Sequence, residues 1–334
     1  MAFFKNGGQP PDSRGRLSYI ADQAGMMMVF IFLFIGCSLF VENFFSPVNM
    51  KGLALAVSMS GMVACTMLFC LAAGDFDLSI GSVVACAGVL AAVVINFSGS
   101  MALGVAAGIL LGGLVGLLNG VVIAKFKINA LITTLASMQI VRGLSYIISD
   151  GKALGIRQEN FFLLGNSNWL GIPAPAWITL ACFIFFGFLL HHTPYGRNTL
   201  AIGGNAEAAR LAGVRVDRVK IIIFAVQGLM AGWAGIILAS RMTSGQPMTS
   251  MGFELEVISA CVLGGVSLTG GVGSMQHVVA GVLILGTVQN AMNLLNVPPF
   301  YQYVARGLIL LGAVLFDRYK HMQIRARALT FERR

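Results

Sequence analysis

The chain has 334 residues, of which 57% are apolar and only 10% charged, and its mean hydropathy is +0.83. Those proportions exclude a soluble domain of ordinary make-up and describe a polytopic membrane protein. The formal charge of +9 comes with neither a soluble basic domain nor a nucleic-acid-binding motif, so membrane lipid is the expected surrounding and nucleic acid is not an expected partner.

A helix needs about 20 residues to cross a hydrocarbon core of about 30 Å. In chain order, suitable apolar runs occupy 24–41, 53–73, 78–97, 101–124, 128–148, 174–190, 221–239, 278–295 and 300–316. A tenth, 257–268, is short and ends among Gly264, Gly265, Gly270, Gly271 and Gly273, which predicts a broken or re-entrant helix. The expected fold is therefore all-α, a transmembrane helix bundle of about ten spans with both termini cytoplasmic. Residues 1–23 read as a cytoplasmic N-terminal segment, 24–317 as the transmembrane domain and 318–334 as a basic cytoplasmic tail. The first run has no small-residue cleavage site after it and reads as a retained anchor rather than a signal peptide.

Charge orients these spans, because lysine and arginine collect in cytoplasmic loops. With the N-terminus inside, sixteen of the 22 basic residues fall in cytoplasmic segments, four fall outside, and Arg142 and Arg306 lie within apolar runs. The one sizeable cytoplasmic loop is 191–220.

Within the spans, 101–124 carries Gly104, Gly108, Gly112, Gly116 and Gly120 at four-residue spacing. In a helix this bares one backbone stripe against which a neighbour can pack closely, and the span is expected inside the bundle. Two glycine-flanked breaks echo each other: Asp77-Leu78-Ser79 in 74–82 aligns with Ser267-Leu268-Thr269 in 264–274. That echo hints at an internal duplication. Asp75, Asp77 and Ser79 precede a helix start, where carboxylates and hydroxyls cap free N–H groups, and capping is the favoured role of Asp77.

Arg142 and Arg306 are functional candidates because a charge inside a span costs at least about 2.5 kcal/mol unless it finds a partner. A structural role, bonding to the carbonyls of a broken helix, is an equal reading. Uncharged polar groups in the spans, among them Asn119, Thr133, Thr134, Gln139, Asn290 and Asn293, could serve as interhelical hydrogen bonds or line a passage for a neutral polyol. No Asp or Glu falls in the middle of a run, which disfavours coupling to a proton or sodium gradient. A phosphate-binding G-x-x-x-x-G-K-S/T loop is absent, so energy is expected from a partner. The six cysteines show no C-x-x-C and imply neither disulfides nor a metal site, and no catalytic constellation stands out.

Glu207 to Gly213 read E-A-A-R-L-A-G. This resembles the E-A-A-x-x-x-G segment by which permeases of bacterial ATP-binding-cassette importers dock on their ATPase. Together with the breaks at 74–82 and 264–274, it makes the chain similar to the ribose, galactose and arabinose family of sugar-importer permeases from about residue 17 to about residue 320. Stretches 59–88, 128–135 and 240–250 are similar to arabinose members in particular. The resemblance implies a permease homodimer in the bacterial inner membrane, a cytoplasmic ATPase with two cassette domains and a periplasmic sugar-binding protein. It also implies that ATP and Mg are used by the ATPase and that this chain holds no cofactor. On that view Gly204 to Gly213 is the coupling helix, with Glu207 and Arg210 as polar contacts, Ala208, Ala209 and Ala212 as a close-packed face, and Asn205 within the same segment.

Overall fold

A computed structural model describes the backbone of residues 13–332 and the side chains of 25–315. Residues 1–12, 333 and 334, parts of the expected N-terminal segment and C-terminal tail, lie outside the described residues.

The helices follow the apolar runs. Helix α1 (Ser13–Phe40) leads to α2 (Pro47–Ala72), α3 (Ile80–Ser98), α4 (Met101–Lys125) and α5 (Ala130–Ser149). Next come β1 (Leu154–Gly155), α6 (Glu159–Asn166), β2 (Asn168–Trp169), β3 (Ile172–Pro173) and α7 (Ala174–His192). The chain continues through α8 (Pro194–Gly204), α9 (Ala206–Leu211), α10 (Val216–Met242), β4 (Ser244–Gly245), α11 (Phe253–Leu263), α12 (Met275–Leu294) and α13 (Pro299–Glu332). Among the described residues, α2, α3, α4, α5, α7, α10 and α12 are long and apolar enough to cross a membrane, while α1 and α13 contribute shorter apolar stretches, Gly25–Phe40 and Pro299–Leu315. With its 11 residues, α11 spans only about half a bilayer at 1.5 Å per residue. The ten expected crossings thus divide into seven full-length helices, two with shorter apolar stretches, and one half-length helix continued by the 264–274 break.

Local chemistry sets the ends. Ser46, Ser100 and Asn129 accept hydrogen bonds from Asn49, Leu103 and Leu131 N–H and so start α2, α4 and α5. The central layer is α2 and α3, 78% and 72% buried along their spans, whereas α4 and α5 are 28% and 22% buried and lie on the outside of this chain.

The glycine stripe of α4 faces inward, as expected, but only that face is covered. A side chain at Gly112 would collide with the Gly228 carbonyl of α10, and one at Gly116 with the Phe224 carbonyl. The opposite side of α4, with Leu103, Leu110, Leu114 and Leu118, is exposed, so the helix is peripheral in one copy rather than enclosed.

Outside, β1 pairs antiparallel with β4 and β2 with β3. Asn96 at the end of α3 donates to Gly155 O at 2.7 Å, and Ser240 of α10 donates to Phe161 O at 2.6 Å, seating the outer loop on the bundle. Trp177 Nε1 donates to Trp169 O at 3.0 Å.

After α10 the chain turns back into the bundle beside α3. Gly245 lies against Gly88, and the site of a side chain on Gly81 is filled by Glu254 and the Ser250 carbonyl. Both glutamates of α11's first turn, Glu254 and Glu256, are thereby only partly exposed within the bundle. Neither lies in the middle of an apolar run, so nothing in the sequence pattern signals that they are drawn into the bundle. Polar residues at 243–252 interrupt the apolar pattern, and only the fold returns them to the interior.

Candidate functional site

Helix α9 is built by its own caps. Asn205 Oδ1 accepts from Glu207 N and Ala208 N, both at 3.0 Å, satisfying the free donors of the first turn. At the other end Gly213 takes φ +89°, a left-handed conformation open to glycine at little cost. Its N–H bonds Arg210 O and that of Val214 bonds Ala209 O, each at 3.0 Å, closing the last turn.

The helix has an inner and an outer side. Ala209 is buried against this chain, so of the three alanines it anchors the helix inward, while Glu207, Ala208 and Ala212 are exposed. Leu211 is 83% exposed beside them. No signal in the motif marks that position; an uncovered leucine on a charged loop stands out only in the fold. Arg210 reaches Asp217 at 3.3 Å, and Lys127 reaches the same carboxylate at 2.8 Å, tying α9 to α10 and to the turn before α5.

The two breaks and the α8–α9 corner meet at the C-terminal end of α2. The Ala72 carbonyl accepts from Gly271 N at 2.9 Å, and a side chain at Gly203 would collide with that same carbonyl. Cβ atoms at Gly270 and Gly271 would lie 2.9 Å from Gly203 Cα and 3.0 Å from Gly204 Cα. The second break thus touches, backbone to backbone, both Gly74 at the start of the first break and the residues just before α9. Lys220 at the base of α10 adds an ion pair to Asp75 at 2.7 Å, both side chains less than one-fifth exposed. Burial raises the Asp75 carboxyl above its ordinary range, and the Lys220 ammonium opposes that rise. Asp75 therefore joins two elements rather than capping α3.

Asp77 does cap. Its Oδ1 accepts from Ser79 N at 2.9 Å and Ser79 Oγ at 2.6 Å. In the second break Thr269 N donates to Ser267 Oγ at 3.3 Å and the two hydroxyls lie 2.9 Å apart. The sequence echo thus corresponds to one turn used twice. Gly264 packs on the His277 carbonyl, and Gly265, at φ +82°, carries the chain out of α11.

The structure does not bring the expected path residues together in one cluster. Asn119 donates to Ser79 Oγ at 3.1 Å and accepts from Ser137, and Thr134 lies 3.4 Å from Phe76 O, all around the first break. Thr133 bonds back to Asn129 O within its own helix. Asn290 pairs with Asn49, and Asn293 accepts from Gln302 at 2.9 Å, joining α12 to α2 and α13. Gln139 and Arg142 lie on α5, with Gln139 exposed and Arg142 Nη1 donating to Pro247 O at 2.7 Å and Thr249 O at 2.8 Å. Arg306 pairs with Glu256 at 3.6 Å and stacks over Tyr303 at 5.2 Å. Each arginine thus finds a polar partner, Arg142 two carbonyls and Arg306 a carboxylate, although Arg306 Nε is buried with no acceptor among the described residues. Sequence reasoning missed Glu254, Glu256, Lys220 and Gly203, all of which act through contacts between remote segments.

Residues 49–314 match the model of a family described as "Branched-chain amino acid transport system / permease component". The chain is 70% identical over 315 residues to the L-arabinose transport system permease protein of Escherichia coli strain K12, covering 94% of this chain and 96% of that one. It is 54% identical to an L-arabinose ABC transporter permease protein of Azospirillum brasilense, over 95% and 94% of the two chains. Identity to the ribose import permease protein of Bacillus subtilis strain 168 is 38%, over 93% and 98%. No solved structure matches the chain.

Proposed function

This chain belongs to the branched-chain amino acid transport system / permease component family, and from that premise we propose that it is the membrane-spanning subunit of an ATP-driven importer carrying L-arabinose across the bacterial inner membrane. The observation that carries the sugar is the 70% identity, over nearly the whole of both chains, to a protein named for L-arabinose transport. The family description names amino acids. The relatives compared are named for pentoses, and identity falls from 70% and 54% for arabinose to 38% for ribose. The second reading, a permease for ribose, galactose or another small polar solute, rests on the ribose-named relatives.

The chain itself is not an enzyme. ATP and Mg are used by a separate cytoplasmic ATPase with two cassette domains, two copies of this chain form the path, and a periplasmic sugar-binding protein delivers the substrate outside. Closure of the ATPase pushes on Glu207, Ala208, Leu211 and Ala212. Support for such a lever is the contact of Gly203 with Ala72 at the end of α2 and of Gly203 and Gly204 with Gly270 and Gly271 of the second break, through which a displacement of α8 and α9 moves the ends of α2, α11 and α12.

The test is uptake of labelled L-arabinose into vesicles holding this chain, its ATPase and the matching binding protein. Transport that needs ATP and all three components is expected. A bound ATPase with no arabinose movement overturns the sugar, and no ATPase binding at all overturns the importer.

A further inference from the structure

Gln139 stands at the centre of α5, about 14 Å from either end at 1.5 Å per residue. With Arg142, Gly143 and Tyr146 it forms a stripe at helical spacing on the side of α5 away from buried Thr134, Val141 and Ser145. Beside the stripe, the same helix exposes a wholly apolar strip, Ile140, Leu144 and Ile147. Hydrocarbon suits the apolar strip and not an exposed amide next to a guanidinium. Arg142 spends Nη1 on the carbonyls of Pro247 and Thr249, and among the described residues its remaining N–H groups have no protein acceptor. A few residues beyond the carbonyls that Arg142 grips, Glu254 in the first turn of α11 lays its Oε2 over Gly81 of α3, and among the described residues it makes no direct ion pair with Arg142. Donors and an acceptor of opposite charge therefore stand apart at the depth where a bilayer provides no water.

We propose that Gln139, Arg142 and Glu254 form the polar wall of the sugar passage halfway across the membrane, closed on its far side by a second copy of the chain. The guanidinium donates to sugar hydroxyl oxygens, the carboxylate accepts from their O–H groups, and the amide of Gln139 does either. Neutral polyhydroxylated solutes fit this wall, since vicinal hydroxyls present both kinds of partner at once. The assignment rests on the importer reading above and adds to it the side chains that touch the substrate.

Single cysteines at Gln139, Glu254, Ile140 and Ile147 in the vesicle-embedded, ATPase-bound assembly test this with a membrane-impermeant thiol reagent, with and without ATP, the unaltered chain serving as blank. Q139C and E254C are expected to react about tenfold faster than I140C and I147C in at least one of the two conditions, because only water-lined positions ionise and admit the reagent. Equal, slow reaction at all four positions overturns the proposal; if E254C fails to accumulate, Q139C against I140C decides. In a second measurement, Glu254→Gln should raise the KM of L-arabinose transport about tenfold while ATP hydrolysis stimulated by the binding protein persists, and an unchanged KM removes Glu254 from the wall. Fast labelling of Q139C in an assembly that moves no L-arabinose upholds the passage and overturns the pentose assignment instead.

Discussion

At the scale of single residues, helix α9 shows how six residues hold a shape that isolated peptides of that length do not keep. Asn205 satisfies the first donors, Gly213 supplies the left-handed residue, and Asp217 gathers Arg210 and Lys127. Gly213→Asp places a side chain on a φ of +89°, at a cost of about 1–2 kcal/mol, too little to unfold the bundle but enough to distort the last turn. Glu207→Lys reverses an exposed charge without touching the packed side. Both variants are expected to insert and fold normally yet lose most ATP-dependent uptake; normal uptake by both would remove α9 from the coupling path. Lys220 and Asp75 belong to the same scale. Removing either leaves a charge that is mostly buried, and such uncompensated charges cost about 3–5 kcal/mol.

Between elements, the decisive contact is α4 on α10. Gly112 and Gly116 meet Gly228 and Phe224 carbonyls across a gap with no room for a methyl group, and Gly120 lies against Ile221. In a bilayer no hydrophobic force drives helices together, so this close approach supplies dispersion contacts that lipid would otherwise make. Gly112→Leu is expected to destabilise the bundle by about 3 kcal/mol, seen as a fall in folded yield after detergent extraction. Gly143→Leu, where nothing lies within 4 Å, is the matched control and should leave yield unchanged. The four-residue spacing was legible in the sequence; the partner helix was not, because Gly228 and Gly232 show no comparable run and sit more than a hundred residues away.

For the whole molecule, the charge pattern of the sequence predicts an orientation, and the fold sets two unlike ends for it to act on. Lys127, Arg210, Asp217 and Lys220 gather at the end that carries α8 and α9, while Lys152, Trp169 and the paired strands occupy the other. A phosphatase reporter inserted at 150–153 is expected to be active outside, and one inserted at 213–215 inactive; the reverse pattern would overturn the orientation. The chain by itself determined its class, its approximate spans, the capping of α9 and the inward stripe of α4, because these follow from composition, period and turn chemistry acting over a few residues. Tertiary structure alone decided that the break at 264–274 meets Gly74, Gly203 and Gly204, that Asp75 pairs with Lys220 rather than capping α3, and that Glu254 and Glu256 return to the bundle interior. The physical reason is that a close backbone approach or a buried ion pair between segments leaves no periodic trace in either segment, and its energy exists only once the chain has brought both partners to the same place.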